Sequence, residues 1–225
     1  MKKEMLQMIH TAVATSGFVL RKQSFFRLTN DVVQGFQIDE KHSKKMNFYT
    51  VTYCTNALSN PEANFYHWGF GPFEIGNMMP TYARWPFWAA TDDIEKQEEC
   101  VTSINQAIEQ YLIPYFTRYN SCIIASNGLP ELEPFGLKNM DAVHFALKAN
   151  QREKAIAGLE GMLAVWEAAH VRNETVGIMP SDETLQREEA LKAFYSFVNG
   201  AMETEIQDYL AKNEQRARNY LQRQT

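Results

Sequence analysis

Cysteine is scarce in this 225-residue chain: Cys54, Cys100 and Cys122 are an odd number with no paired spacing. That excludes a disulfide framework and a cysteine-based zinc site. No apolar run approaches the roughly 20 residues of a membrane span. Lys2 and Lys3 could open a signal peptide, but Glu4, Gln7, His10 and Thr11 interrupt any apolar core behind them. Positive charge is also short, 22 Lys and Arg against 27 Asp and Glu, for a net charge of -5 and a pI near 5.6. A main partner that is nucleic acid or anionic lipid would need a basic face, so neither is expected. These absences together predict a cytoplasmic protein, which leaves the Asn173-Glu174-Thr175 sequon a chance match.

The patterns that announce common chemistries are missing too. The chain has no Gly-x-Ser-x-Gly elbow, no His-Glu-x-x-His and no phosphate-binding Gly-x-x-x-x-Gly-Lys followed by Ser or Thr. His10, His42, His67, His144 and His170 include no i, i+4 pair, and each reads as ordinary helix or strand surface. Cys54 reads as buried filler, and Cys100 lies beside Glu98 and Glu99, whose charges would raise a thiol pKa. Glu131 and Glu133 read as a solvated loop. No catalytic residue, cofactor site or metal ligand is assigned.

Aromatic residues are what the chain has in excess. Of its 28, 15 fall between Ser24 and Trp88. Aromatics favour strands, and this block divides into extended runs at Ser24 to Leu28, Val32 to Asp39, Asn47 to Thr55 and Asn64 to Gly71. Turn residues at Thr29-Asn30-Asp31, Glu40 to Lys45 and Ser59-Asn60-Pro61 join them. An antiparallel meander of about four strands follows, with Tyr49, Val51 and Tyr53 sharing one face and Tyr66, Trp68 and Phe70 another by the period of two. Apolar residues at helical spacing predict a helix from Lys3 to Ser16, closed by Gly17 in the left-handed conformation. A second helix opens at Asp92 and Glu95 and buries Ile94, Val101, Ile104, Ile108, Tyr111 and Leu112, with Pro114 ending or kinking it.

The composition then turns helical. Asn127-Gly128-Leu129-Pro130 and Pro134 mark a connector, followed by helices at Met140 to Ala149, Glu153 to His170 and Asp182 to about Gln222, the last capped by Ser181. Its apolar face is Leu191, Phe194, Val198, Ala201, Met202, Ile206, Tyr209 and Leu210, with Gly200 as a point of interruption. The predicted fold class is therefore α+β, an antiparallel meander flanked by helices in residues 1–125 and an all-helical subdomain in residues 126–225.

Gly17-Phe18-x-x-Arg21, Phe25-Phe26-Arg27, Val32-Val33-Gln34-Gly35-Phe36-Gln37-Ile38 and Phe48-Tyr49-Thr50-Val51 together resemble the opening of the bacterial domain of unknown function family 4304. The resemblance covers about residues 5 to 120. It implies a helix ending in Gly-Phe, a strand with an aromatic and an Arg, and a Gln-containing strand next. It implies no activity. Where such members carry a His and Arg-rich motif, Pro80-Thr81-Tyr82-Ala83-Arg84-Trp85 keeps an Arg and no His.

Five aromatics between Phe73 and Trp88 lie in the irregular segment Gly71 to Ala90, where no periodicity explains them. Trp68, Phe73, Tyr82, Arg84, Trp85 and Trp88 form the candidate recognition surface, since Trp, Tyr and Arg dominate interface hot spots and Arg stacks on aromatic faces. The mild basic cluster Arg21, Lys22, Arg27, Lys41, Lys44 and Lys45 reads as a solvated sheet edge. The expected function is a non-catalytic protein-interaction or accessory module, such as a neutralising partner in a bacterial conflict or stress system. The alternative is a small-molecule-binding protein or enzyme with a pocket between sheet and helices, lined by Tyr49, Tyr53, Tyr66 and Trp68 with His67 and Arg84 at its edge. A homodimer through Ile206, Tyr209, Leu210, Ala217 and Leu221 of the last helix is a third reading.

Overall fold

Lys3–Val13 forms helix α1 and buries Met5, Leu6, Ile9 and Val13, the stripe that its sequence spacing dictates. A tight helical turn, Ala14–Ser16, follows, and Gly17 ends it at φ 80°, where its N–H donates to the Ala14 carbonyl. The computed structural model describes residues 3–42, 46–61, 74–79, 88–90, 93–132, 140–177 and 179–223. Strands β1 (Val19–Arg21), β2 (Ser24–Thr29), β3 (Val32–His42), β4 (Asn47–Ala57) and β5 (Trp88–Ala90) form one sheet in the order β1-β2-β3-β4-β5. The α+β class is as expected, with β1 and β5 as additional three-residue edge strands. The expected fourth strand, Asn64 to Gly71, lies outside the described residues.

The β1–β2 and β2–β3 hairpin turns are two residues long. Arg21 pairs with Ser24 across Lys22-Gln23, and Thr29 pairs with Val32 across Asn30-Asp31. Lys22 and Asn30 take positive φ there, as such turns require at their first position. The register puts Phe25 opposite Phe36 and Arg27 opposite Gln34. Phe25 and Phe36 stack with ring centroids 4.5 Å apart. By the alternation of strands, Phe25, Arg27, Gln34, Phe36, Ile38, Tyr49, Val51 and Tyr53 share one face, and apart from Arg27 and Gln34 they belong to a single buried cluster with residues of α1 and of the second long helix.

That second helix runs as α2 (Ile94–Ala107), a wider π turn (Ile108–Leu112) and α3 (Ile113–Arg118). Its N-cap is Asp93, whose carboxylate accepts from the Glu95 N–H. Asp92, the expected cap, lies outside the described residues. Ile94, expected in the core, is exposed, because the first turn precedes the buried stripe of Gln97, Cys100, Val101, Ile104 and Ala107. Pro114 does not end the helix. It lacks an N–H and its ring would crowd the carbonyl four residues back, and the π turn just before it loosens the ladder there, with Ile113 donating to Ile108.

Gln34 and Arg27 tie this unit together. Gln34, fully buried, donates from Nε2 to the carbonyls of Phe116 at 2.6 Å and Tyr119 at 2.8 Å, satisfying groups that a helix end leaves open. Its Oε1 accepts from Arg27 Nε at 2.9 Å, and Arg27 Nη1 donates to the Ser16 carbonyl at 2.7 Å. The guanidinium also stacks over Phe18 at 4.8 Å from the ring centroid. Arg27, expected on a solvated edge, is instead half-buried and bonded on the helix-facing side of the sheet.

The chain forms two compact units, Met1–Asn56 with Asn64–Asn120, and Ala57–Ala63 with Ser121–Gln224. The second unit contains α4 (Cys122–Leu132), α5 (Met140–Lys148), α6 (Arg152–Thr175), α7 (Asp182–Gly200) and α8 (Glu203–Gln222). Helix α4 runs through Asn127 to Pro130, where a connector was expected. Pro130 has no N–H for the Ser126 carbonyl, and the Lys154 ammonium donates to that carbonyl instead. Helix α5 is buried all round, from Asp141 to Leu147, and packs against α4, α6 and α8.

The expected 40-residue last helix is two. Helix α7 starts at Ser181, whose hydroxyl accepts from the Thr184 N–H, and stops at Gly200. Ala201 and Met202 are extended, and α8 begins after them, with the Met202 N–H donating to Glu205 at 2.7 Å. Met202, expected in the apolar face, is therefore exposed at the break. Of the residues on which the homodimer reading rests, Ile206, Leu210, Ala217 and Leu221 are buried within the chain itself and Tyr209 is half-buried.

Candidate functional site

Helices α6 and α7 pack against each other, and their facing stripes do not close along the whole length. Leu191, Phe194 and Val198 of α7 fall on one face at i, i+3 and i+7, and Arg187 and Ala190 continue that face towards the N-terminus. On α6, Leu159, Met162, Leu163 and Trp166 do the same. Small Ala190 and the flexible methionines leave space, and a cavity of about 590 Å³ results. Met140 of α5, Met162 and Trp166 of α6, Arg187, Ala190, Leu191 and Phe194 of α7, Tyr209 of α8 and Pro61 line it.

Phe194 and Tyr209 form an aromatic corner, 5.4 Å between centroids, that His144 of α5 supports from behind. The imidazole lies nearly parallel to Phe194, centroids 5.5 Å apart with 10° between planes, and 6.0 Å from Tyr209. His144 was expected on a helix surface and is fully buried. Its Nδ1 is 3.3 Å from Ser59 Oγ, and its Nε2 has no hydrogen-bond partner among the described residues. Burial pushes its pKa down to about 3, so the ring is neutral at ordinary pH.

The charge in the lining is the Arg187 guanidinium. It donates from Nη2 to Glu183 Oε1 at 2.7 Å, one turn back on its own helix, and the two side chains are 71% and 74% exposed. Glu188, the next carboxylate on α7, is held away by Lys192 at 2.6 Å and His170 at 3.2 Å, and these contacts keep its carboxyl below the usual range. Among the described residues the lining therefore offers apolar and aromatic walls, one phenol and one cation, without a nucleophile paired to a base.

No protein-family model, curated protein or solved structure matches this chain. The cavity's geometry is thus the basis for its chemistry. Among the described residues, no group of three or more His, Cys, Asp and Glu is placed to hold a metal ion, and no helix is long and apolar enough to cross a membrane.

Of the candidate recognition surface, Trp68, Phe73, Tyr82, Arg84 and Trp85 lie outside the described residues, as does His67. Trp88 lies in β5, half-buried against the first unit's core, and its Nε1 donates to Ser103 of α2 at 2.9 Å. Tyr49 and Tyr53, expected to line a pocket between sheet and helices, are buried in that core. Tyr53 packs edge-on against Tyr115 and Phe116 of α3, and burial pushes its phenol pKa up. Cys54 is only half-buried, whereas Cys100 is buried and its thiol is pushed up to about 11 by burial rather than by its acidic neighbours. Sequence reasoning missed this cavity; the signal that could have found it is Arg187, a charged residue on the face that Leu191, Phe194 and Val198 continue as an apolar stripe.

Proposed function

We propose that this chain is a non-catalytic binding protein whose helical unit takes a small, largely apolar molecule. The observation that carries the reading is the cavity of about 590 Å³ between α6, α7 and α8, walled by Trp166, Phe194, Tyr209 and two methionines. Ligand sites are concave and mostly apolar, roughly 300–1,000 Å³, with a few polar groups that set orientation. Methionine walls repack around ligands of different shape at little cost. Three cysteines that form no disulfide, one half-buried and two buried, suit a reducing, cytoplasmic setting. Thermal-shift screening of the full chain against apolar metabolites tests the reading. Saturable stabilisation is expected, and it is lost in Ala190→Trp, which fills the cavity from an exposed position. Stabilisation that survives that substitution places binding elsewhere.

A second reading, contact with a partner protein, is favoured by the hairpin that α6 and α7 make. The buried residues of α6 end at Leu159 and those of α7 begin at Leu191. Beyond them Val171, Val176, Met179 and Leu185 stand exposed around the connection, Met179 at 84%. Clustered apolar side chains on a surface mark contact sites. Affinity capture with wild type and with Val176→Ser plus Met179→Ser tests it: a partner lost in the variant supports the reading, and identical recoveries remove it.

A further inference from the structure

We propose that the cavity's ligand is an amphipathic anion, with an aromatic or aliphatic body between the helices and an anionic head on Arg187 at the mouth. This rests on the reading that the cavity binds a ligand, and goes beyond it in naming the chemistry. Trp166, Phe194 and Tyr209 accept any flat or flexible apolar body, and by themselves could also face an organic cation. Arg187 decides between the two, since among the described residues the lining holds this cation and no carboxylate to balance a second positive charge.

The guanidinium's present partner does not compete strongly. Glu183 and Arg187 form an exposed pair one turn apart on one helix, a contact that water screens. A carboxylate or sulfonate at the mouth meets the remaining N–H donors of the same fork, in charge-assisted hydrogen bonds, while its body rests on the apolar walls beside it. His144, the other basic group near the walls, is neutral behind Phe194 and does not divert the anion. Glu188 is engaged by Lys192 and His170, so its charge does not oppose an anion at the mouth.

Two fluorescent probes of nearly the same body separate the steps, 8-anilinonaphthalene-1-sulfonate and the uncharged N-phenyl-1-naphthylamine, titrated into the full chain. The sulfonate is expected to bind at least about fivefold more tightly than the amine, and Arg187→Gln to weaken the sulfonate by about the same factor while leaving the amine unchanged. Decanoate is expected to displace the sulfonate at concentrations where decanol does not. Ala190→Trp is expected to abolish both signals, with an unchanged helical circular dichroism spectrum. Sulfonate binding that is indifferent to Arg187→Gln, or equal displacement by decanol, overturns the anionic head and leaves the cavity reading standing. Probe binding that persists in Ala190→Trp overturns the cavity reading and the anion proposal with it.

Discussion

At the scale of single residues, two buried polar side chains work in opposite directions. Gln34 has both ends of its amide bonded, and through Arg27 it ties the start of the sheet to the end of α3. Gln34→Ala leaves the Phe116 and Tyr119 carbonyls and the Arg27 guanidinium short of partners, so a loss of about 2–4 kcal/mol in denaturant unfolding is expected. Combined with Arg27→Met, the loss is expected to fall short of the sum of the single variants, because both act on one network. His144 is the contrary case, a ring with an unpartnered Nε2. Its folded pKa of about 3 lies below the unfolded value near 6.5, so the unfolded state binds more protons across that interval. The stability that a neutral His144 permits is complete above about pH 6.5 and is lost as pH falls towards 3, at up to about 1.4 kcal/mol per pH unit. Urea unfolding of His144→Phe against wild type checks this. The variant is expected to lose less stability over that window, and parallel profiles would place the acid sensitivity in another group.

At the scale of elements, the break between α7 and α8 shows where local chemistry is incomplete. Met202 occupies an N-cap position with extended backbone; its carbonyl accepts from the Glu205 and Ile206 N–H groups and Glu205 bonds back to its N–H, but it has no side-chain oxygen to add to them. Met202→Ser completes the reciprocal pair at an exposed site, so a gain of about 0.5–1.5 kcal/mol and a higher melting temperature are expected in calorimetry. No gain would mean that the end of α8 frays independently of its cap. Elements were legible in the sequence where their signals are local and repeated. The stripe of α1, the left-handed Gly17, the strands at Ser24, Val32 and Asn47, and the Ser181 cap all announce themselves within a few residues. Strands β1 and β5 are three residues long and exist because a neighbour pairs with them. Gly128 and Pro130 read as punctuation, yet α4 passes through, because Lys154 takes the carbonyl that proline leaves open. The cavity was illegible for a related reason. It is made by four helices and Pro61, and no window of sequence contains it; Arg187 on an apolar face is the one local sign of it, and it went unread.

At the scale of the whole molecule, the chain does not divide into two consecutive pieces. Ala57–Ala63 belongs with the helical unit although it leaves directly from β4. Ala57, Leu58, Ser59 and Asn60 are each less than 5% exposed. The Ala57 N–H donates to Asp141 at 2.9 Å, Ser59 meets His144, and Pro61 is a wall of the cavity. A fragment of residues 121–225 therefore keeps its five helices but loses a buried segment that bonds the all-buried helix α5. Burying Leu58 alone is worth roughly 2–3 kcal/mol, and the Asp141 hydrogen bond adds about 1–2. In a domain of about 100 residues that deficit corresponds to a melting temperature lower by about 15 °C or more. Circular dichroism of the fragment is expected to show helical signal with a lowered, broadened melt. Joining residues 57–63 to it through a flexible Gly/Ser linker is expected to restore most of the difference, since loop closure costs grow slowly with length. A fragment that melts as sharply and as high as the helical transition of the full chain would show that the inserted segment is a passenger, and that the cavity wall it supplies is not needed to hold α5 in place.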